Sequence, residues 1–354
     1  MRVQVRQQRL SQPRARVAAV GRAELHLHIE GTLEPELLFE LAARNEVLEK
    51  IPYKSLDEVR AAYNFQNLQS FLDLYYAGCA VLITEQDFYD MTWAYLERAA
   101  ADKVVHTEIF FDPQTHTSRG VPFATAFQGI TKALKDAEAK LSISSHIIMC
   151  FLRHLGSESA MATLQEALPY KEQIKGVGLD SSELGFPPSL FQEVFQLAAK
   201  EGFKLVAHAG EEGPAEYVWE AVNLLKVDRI DHGVKSIEDA SLCAHLSKAQ
   251  TPLTVCPLSN VKLSFVTALP DEQLVEKLQV LLRQGMCITI NSDDPAYFGG
   301  YVNANYVFLA QSLGLDAETL YQLHRNSFIA SFLSDDVRDK YLGSLDQIFK
   351  QAVA

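Results

Sequence analysis

The order of apolar segments along the chain is the strongest constraint on its fold. Short apolar runs of strand length alternate with longer amphipathic segments, and several runs are rich in Val and Ile, as buried parallel strands are. Eight runs can be distinguished: Ala23–Ile29, Val104–Phe111, Ile143–Leu152, Ile174–Leu179, Lys204–Ala209, Arg229–His232, Pro252–Cys256 and Cys287–Asn291. Eight units of a strand followed by a helix predict a closed (β/α)8 barrel, with an open doubly wound sheet as the alternative.

Two further segments are helical in pattern. Residues 56–100 lie between the first two predicted strands, and we expect them to form a helical insertion over the barrel mouth. The tail after Asn303 is expected to form helices that pack across the barrel. Since no repeat, low-complexity tract or linker divides the sequence, residues 23–354 are predicted to be one domain.

The first 22 residues differ from the rest. They contain six arginines, and the first acidic residue of the chain is Glu24. We predict a disordered extension over residues 1–22. An organelle transit peptide, which is typically Arg-rich and poor in acidic residues, is the alternative.

Charge and cysteine content exclude several classes of protein. A net charge of −13 argues against a nucleic-acid partner, because binding the phosphate backbone needs clustered Lys and Arg. Five widely spaced cysteines without a C-x-x-C pair are typical of a reducing compartment, so a cytoplasmic location is expected. No apolar run reaches the roughly 18 residues of a membrane span, so no membrane partner is expected. The oligomeric state has no signature in this sequence.

Candidate functional residues gather where predicted strands end, which is where barrel enzymes carry their active sites. The segment E-L-H-L-H-I-E-G, residues 24–31, ends the first strand with His26 and His28. Residues two apart in a strand point to the same side, so the two imidazoles can share one cation. This pair alone would supply half of a zinc site.

The fifth predicted strand ends in H-A-G-E. His208 can supply a third imidazole ligand, and Glu211 follows three residues later as a nearby proton carrier that does not bind the metal. The alternative is a packed histidine followed by a glutamate that caps the next helix.

Two more strand ends complete the pattern. His232 ends the sixth strand within D-H-G, and Asp293 and Asp294 end the eighth within N-S-D-D-P. Adjacent carboxylates can divide their roles, one toward a metal and one toward a ligand, although Asp-Asp-Pro alone is typical of a turn. Because four strand ends present ligand-type side chains to one rim, we predict a metal-dependent active site there.

As a set, the motifs H-L-H-I-E-G, H-A-G-E, D-H-G and N-S-D-D-P resemble those of the adenosine/adenine deaminase family of the amidohydrolase superfamily. The resemblance runs from about Ala23 to Asn326. It implies one Zn²⁺ per chain and a water in the open coordination position. The implied zinc ligands are His26, His28, His208 and Asp293.

The resemblance also implies roles for the other motif residues and a small purine as substrate. Glu211 would protonate purine N1, His232 would orient the attacking water, and Asp294 would hold the purine through N7. Loss of ammonia from a tetrahedral carbon then leaves the 6-oxopurine.

Two departures from adenosine deaminases favour the adenine deaminase branch and hence conversion of adenine to hypoxanthine. Glu30 stands where those enzymes have an Asp that meets the ribose. In L-D-S-S-E-L, residues 179–184, Glu183 could accept a hydrogen bond from a free purine N3–H or N9–H. The segment F-F-D-P-Q-T-H, residues 110–116, also resembles that branch.

The alternatives are an adenosine deaminase and a deaminase of N6-substituted adenines. A catalytically silent barrel is disfavoured because every ligand and acid position is filled. AMP is a poor candidate because the sequence has no Gly-Lys loop of the phosphate-cradling type.

Overall fold

Eight parallel strands form the centre of the computed structural model, which describes residues 21–63, 65, 68–264 and 271–353. Each strand pairs with its neighbour in chain order. They are β1 Arg22–Glu24, β2 Val104–Phe111, β3 Ser144–Leu152, β4 Gly176–Asp180, β5 Lys204–Ala209, β6 Arg229–His232, β7 Leu253–Val255 and β8 Ile288–Ile290. Each falls within or beside its predicted segment, and the predicted (β/α)8 barrel is confirmed.

The barrel closes between the ends of β8 and β1, beyond both strands. An isolated parallel bridge joins Leu27 to Asp293. The His28 N–H donates to the Asp293 carbonyl at 3.0 Å, and the Asp293 N–H donates to the His26 carbonyl at 3.1 Å. The first sequence motif and the last are therefore held side by side by backbone hydrogen bonds.

Helices follow the strands on the outside of the barrel. After β1 come α1 Pro35–Arg44, α2 Leu56–Ala62, α3 Leu68–Cys79 and α4 Glu85–Ala101. The crossovers after β2 to β7 contain α5 Pro113–Thr117, α6 Phe123–Leu141, α7 Gly156–Ala167, α8 Gln192–Lys200, α9 Ala215–Glu220, α10 Ala240–Ala249, α11 Pro257–Ser264 and α12 Asp271–Arg283. A π-helical turn, Ala221–Leu225, continues α9. Short 3-10 turns lie at Glu30–Thr32, Leu48–Lys50, Arg153–Leu155, Leu168–Gln173, Pro188–Phe191 and Val234–Glu238.

Helix α4 shows why the predicted insertion is helical. It begins with a reciprocal capping box, in which the Thr84 hydroxyl accepts the Asp87 N–H and the Asp87 carboxylate accepts the Thr84 N–H. Buried Phe88, Met91 and Tyr95 then recur at helical spacing and face the apolar core around the barrel.

The tail of the chain covers the amino-terminal end of the barrel. It contains α14 Val302–Leu313, α15 Ala317–Ile329 and α16 Asp335–Val353, whereas the short α13 Pro295–Phe298 directly follows Asp294 at the carboxyl end. Asn326 donates to the Ile288 carbonyl at the start of β8, and the Ala23 N–H in β1 donates to the Ser327 hydroxyl. The predicted packing of C-terminal helices across the barrel is thus observed at the end opposite the polar motifs.

A buried ion pair fixes this closed end. Arg229 Nη1 donates to Glu108 Oε2 at 2.6 Å, and its Nη2 donates to the Leu25 carbonyl at 2.9 Å. Burial alone would raise the pKa of Glu108, but the Arg229 charge and a hydrogen bond from His106 lower it to about 2. The Phe332 ring packs 4.6 Å from the guanidinium. The polar network joins β2, β6 and the tail.

The start of the domain needs one correction. Arg22, which we assigned to the extension, is fully buried, belongs to β1 and donates to Asn303. Residues 1–20, the rest of the predicted extension, lie outside the described residues. The five cysteines are buried and free. Within the described ranges, every helix is too short or too polar to cross a membrane.

Candidate active site

The four predicted metal ligands meet at the carboxyl end of the barrel. His26, His28, His208 and Asp293 are buried, and their ligand atoms all lie within 4.8 Å of one another. Asp293 Oδ1 is 3.2 Å from His26 Nε2 and 3.5 Å from His28 Nε2. His28 Nε2 lies 3.1 Å from His208 Nε2. Residues distant in sequence thus share one point.

Local backbone geometry directs these side chains. Strand β1 ends at Glu24, but the chain stays paired through His28, because the Phe110 N–H donates to the Leu27 carbonyl at 2.8 Å. The period of two that places His26 and His28 together is therefore kept beyond the strand. Asp293 has a left-handed backbone with φ 64°, a conformation that costs most residues about 1 kcal/mol or more and is common at functional sites.

The Nδ1 atoms of His26 and His208 lie near buried polar side chains that we did not predict from the sequence. His26 Nδ1 lies 2.9 Å from the Thr254 hydroxyl, which donates to Asp231 Oδ1. The other oxygen of Asp231 is 3.6 Å from His208 Nδ1. Such partners orient ligating imidazoles in metal sites. Asp231 could have been noticed as the first residue of D-H-G, whereas Thr254 has no sequence signal.

The donor set fits a divalent cation. Burial and the neighbouring His26 lower the pKa of His208 well below its usual range, so its imidazole is neutral. The Asp293 carboxylate is buried too, yet the imidazoles of His26 and His232 hold its pKa well below the usual value. Converging ring nitrogens and one carboxylate are ligands that suit zinc, iron and cobalt.

Glu211 and His232 lie beside the ligand cluster. His232 Nε2 is 3.5 Å from Glu211 Oε1 and 3.8 Å from Asp293 Oδ2. His232 also has a left-handed φ of 62°, and Asn260 Nδ2 lies 3.1 Å from its Nδ1. Burial is the main reason that the pKa of His232 falls to about 3. The neutral imidazole of His232 and the carboxyl group of Glu211 therefore lie close together beside the ligand cluster.

Two of the predicted acidic residues have raised pKa values. Burial and the Asp293 carboxylate raise the pKa of Glu211 well above its usual value, and the same two causes raise that of Asp294. Asp294 is buried, and its carboxyl group is hydrogen-bonded to that of Asp293. Gly31 allows this position, since a Cβ there would lie 1.9 Å from Asp294 Oδ1. Both carboxyl groups can donate a proton to a ligand.

A pocket of about 400 Å³ opens onto this cluster. Its lining includes His28, His208 and Asp293 of the ligand cluster, together with Glu211, His232, Asp294, Tyr75, Tyr76, Asp112, Asp180 and Ser181. Helix α3 supplies an apolar wall that includes Leu68 and Phe71, so the insertion covers the mouth as expected.

Glu183 does not occupy the place we expected. Its carboxylate is 1% exposed and accepts four backbone N–H groups, from Gly210 at 2.6 Å, Glu211 at 3.0 Å, Glu212 at 2.9 Å and Gly213 at 2.8 Å. Both oxygens are therefore committed to the loop after β5, and the expected hydrogen bond to a purine N–H does not fit this geometry. Glu183 instead positions the backbone of Glu211.

Glu30 is also placed differently. We expected its longer side chain to intrude where a sugar would sit, but it is fully buried beside the pocket and not part of its lining. Glu30 Oε1 lies 2.9 Å from His116 Nε2 and accepts the Asp112 N–H at 3.2 Å. Glu30 thus supports Asp112, which does line the pocket.

Replacing Glu183 by Gln is expected to destabilise the loop that carries Glu211. The amide keeps one acceptor oxygen and turns an NH₂ group toward backbone donors, so charge-assisted hydrogen bonds worth about 1.5–3 kcal/mol are lost. Urea denaturation should show that loss in the free energy of unfolding, and kcat should fall more than KM rises. Exposed Glu193, replaced by Gln, is the matched control. Unchanged stability and turnover in Glu183→Gln would contradict the assigned role.

The fold and this cluster together place the chain in the class of metal-dependent barrel hydrolases, with the acidic side chain of Glu211 beside the candidate metal site. Comparison with known sequences makes the assignment specific. The family model for adenosine deaminase matches residues 21–348, and the chain belongs to the adenosine deaminase family. The resemblance seen in the motifs is thereby confirmed.

Individual relatives are similar over most of their length. An adenine deaminase from Acinetobacter baylyi is 57% identical over 332 residues, covering 94% of this chain and 98% of that protein. The crystal structure of an adenine deaminase from Arthrobacter aurescens has a TM-score of 0.89 and 48% identity, covering 94% and 100% of the two chains. An amidohydrolase from Burkholderia ambifaria, solved with bound Zn, has a TM-score of 0.87 and 26% identity, covering 99% and 96%.

Proposed function

We propose that this chain catalyses the hydrolytic deamination of adenine to hypoxanthine and ammonia, with one Zn²⁺ per chain. The observation that carries the proposal is a buried cluster of three imidazoles and a carboxylate that lies beside Glu211 and opens onto a pocket. The names of the relatives in Acinetobacter baylyi and Arthrobacter aurescens support adenine as the substrate.

The cation would be held by His26, His28, His208 and Asp293. When bound, zinc supplies a Lewis acid and lowers the pKa of a coordinated water toward about 7. The zinc in the Burkholderia ambifaria relative and the nitrogen and oxygen donors of this site support that choice of metal.

Protons move through two side chains. Glu211 donates its proton to N1 of the purine, which makes C6 more electrophilic. Neutral His232, 3.5 Å from Glu211, accepts a proton from the attacking water and orients it toward C6. The C6–N bond then breaks: the amino group takes the proton held by His232 and leaves as ammonia, the proton of the C6 hydroxyl returns to Glu211, and the water oxygen remains as the C6 carbonyl. Adenine plus water gives hypoxanthine plus ammonia.

Asp294 fixes the orientation of the ring. Burial and the Asp293 carboxylate raise the pKa of Asp294 well above its usual value, which favours the protonated carboxyl group that would donate a hydrogen bond to N7. A purine bound through N1 and N7 presents the C6 edge to the metal cluster. The reacting carbon is thereby held near the attacking water.

A substrate panel tests the proposal. We expect kcat/KM for adenine to exceed those for adenosine and N6-methyladenine by a factor of about 100 or more, because a site built for one hydrogen-bonding pattern rejects others strongly. Ammonia release and the ultraviolet absorbance change give the rates. A larger kcat/KM for adenosine than for adenine would contradict adenine as the preferred substrate, whereas the family assignment would stand.

A further inference from the structure

Strands β4 and β5 pair over only part of their length. Their ladder has two residue pairs, the second of which joins Val177 to Leu205, although every residue of both strands is described. On its other side, β5 stays paired with β6 as far as Ala209. Backbone groups near the end of β5 that face β4 therefore need other partners, because buried backbone groups are almost always hydrogen-bonded. His208, one of the four clustered ligand residues, lies in this part of β5.

The carbonyl of His208 is held by a buried arginine from another strand end. Arg153 directly follows β3 and is fully buried. Its Nη1 donates to the His208 carbonyl at 2.8 Å, and its Nε donates to the Phe186 carbonyl at 2.8 Å. Phe186 lies in the loop after β4, where its N–H donates to the carbonyl of Glu183 at 3.1 Å. One planar guanidinium thus joins the ends of β3 and β5 to the loop after β4.

Opposite charges hold the two sides of the segment that carries His208 and Glu211. Arg153 donates to the carbonyl of residue 208, and the Glu183 carboxylate accepts the N–H groups of residues 210–213. Burial lowers the pKa of the Arg153 guanidinium, and the charge of Glu183 is the main opposing influence. Arginine nevertheless stays protonated in proteins. A cation at the carbonyl and an anion at the amides both match the direction of the peptide dipoles.

Stability alone is a weak explanation for this arrangement. Removing a charged side chain from water costs free energy that nearby opposite charges only partly offset, so buried charges add little net stability. A planar guanidinium with fixed donor directions instead defines the positions of the carbonyls that it binds. Metal ligands have to lie within about 0.2 Å of their ideal distances, so a small rotation of the His208 peptide would move its imidazole out of range.

We propose that Arg153 is a positioning residue of the metal site, which fixes the direction of the His208 imidazole through its backbone and thereby raises the affinity for the metal ion. The inference rests on the proposed function, because it takes His208 to be a metal ligand. Arg153 belongs neither to the ligand cluster nor to the pocket lining, so it acts through His208 and not on the substrate.

Arg153→Met tests this role through the affinity for zinc. Methionine fills much of the same space with an unbranched apolar chain but cannot donate to either carbonyl. We expect the Kd for Zn²⁺ to rise about 10–100-fold, the usual effect of losing a group that supports a metal ligand. Competition between the metal-free protein and a chromophoric chelator of known affinity measures this Kd without any turnover.

Two further variants make the result specific. Arg153→Lys keeps one charged donor but lacks the planar fork, so its Kd should rise less than that of Arg153→Met, and it replaces Arg153→Met if that variant does not fold. Arg119→Met is the matched control, because Arg119 also donates to two backbone carbonyls, those of Thr115 and Leu82, at 3.0 and 3.1 Å. Neither carbonyl belongs to a residue of the ligand cluster, so stability should fall while the Kd for Zn²⁺ is unchanged.

Unchanged affinity for Zn²⁺ in Arg153→Met, or in Arg153→Lys where it takes its place, would overturn the inference. An equal rise of the Kd in Arg119→Met would overturn it too, because general loosening of the fold would then account for the effect. A failure of the unaltered protein to bind Zn²⁺ would instead contradict the proposed function. Hydrogen exchange of residues 208–213 in metal-free protein would still test the inference: it should be faster in Arg153→Met than in Arg119→Met, and equal exchange in both would overturn the assigned role.

Discussion

Glu211→Gln is expected to lower kcat for adenine by about 10²–10⁴-fold, the usual contribution of a positioned acid. Gln keeps the shape of the side chain but has no acidic proton for N1. Because Glu211 is not among the four clustered metal ligands, the variant should retain its metal. Steady-state rates and metal analysis on the same preparation measure both quantities.

The pH profile separates loss of an acid from loss of structure. Glu211 must be protonated to act, and its pKa is raised, so activity should fall as pH rises through that pKa. The Gln variant should lack this alkaline limb. Glu212→Gln is a control in the same loop, since Glu212 does not line the pocket, and its rate should stay close to that of the unaltered protein. Unchanged turnover in Glu211→Gln would remove this residue from the mechanism.

The parts of the site that follow strand periodicity could be predicted from sequence. His26 and His28 are two residues apart in an extended segment, and His208, His232 and Asp293 stand where apolar runs end. In parallel strands those ends meet at one rim, so convergence follows from the fold without knowledge of any contact. The barrel itself follows from the count and alternation of apolar runs.

The direction of side chains beyond the strands could not be predicted in the same way. The sequence places Asp180, Ser181 and Glu183 in one short loop, and we chose Glu183 as the residue that meets the ligand. In the structure Glu183 turns toward the loop after β5, whereas Asp180 faces the pocket. Which of several neighbouring acids faces a ligand depends on unpaired backbone donors in another loop, and such donors have no sequence signature.

The hydrogen-bond partners that orient His26 and Asp112 could not be predicted for a similar reason. Thr254 contacts His26 across the barrel interior, and Asp112 is oriented by Tyr75 of the helical insertion. These partners are separated by 228 and 37 residues along the chain. Their pairing depends on the radial arrangement of strands and on how α3 covers the mouth, which periodicity does not define.

Removal of metal by a chelator is expected to abolish turnover of adenine and to lower stability. Three imidazoles and Asp293 converge within 4.8 Å, and His28 Nε2 lies only 3.1 Å from His208 Nε2, so a shared cation would hold these groups together. A cation that binds only the folded chain stabilises it by about 4 kcal/mol at free concentrations 1,000-fold above its Kd. Thermal unfolding and activity, recorded before chelation, after it and after adding Zn²⁺, measure both effects.

His208→Ala is the genetic counterpart of chelation, and exposed His245→Ala is its control. The first variant should lose bound metal and activity together and should not respond to added Zn²⁺, whereas the second should behave as the unaltered protein does. Full turnover in protein that elemental analysis finds free of metal would contradict the assignment. Such a result would leave His232, which we propose accepts a proton from the attacking water, to activate that water without a Lewis acid.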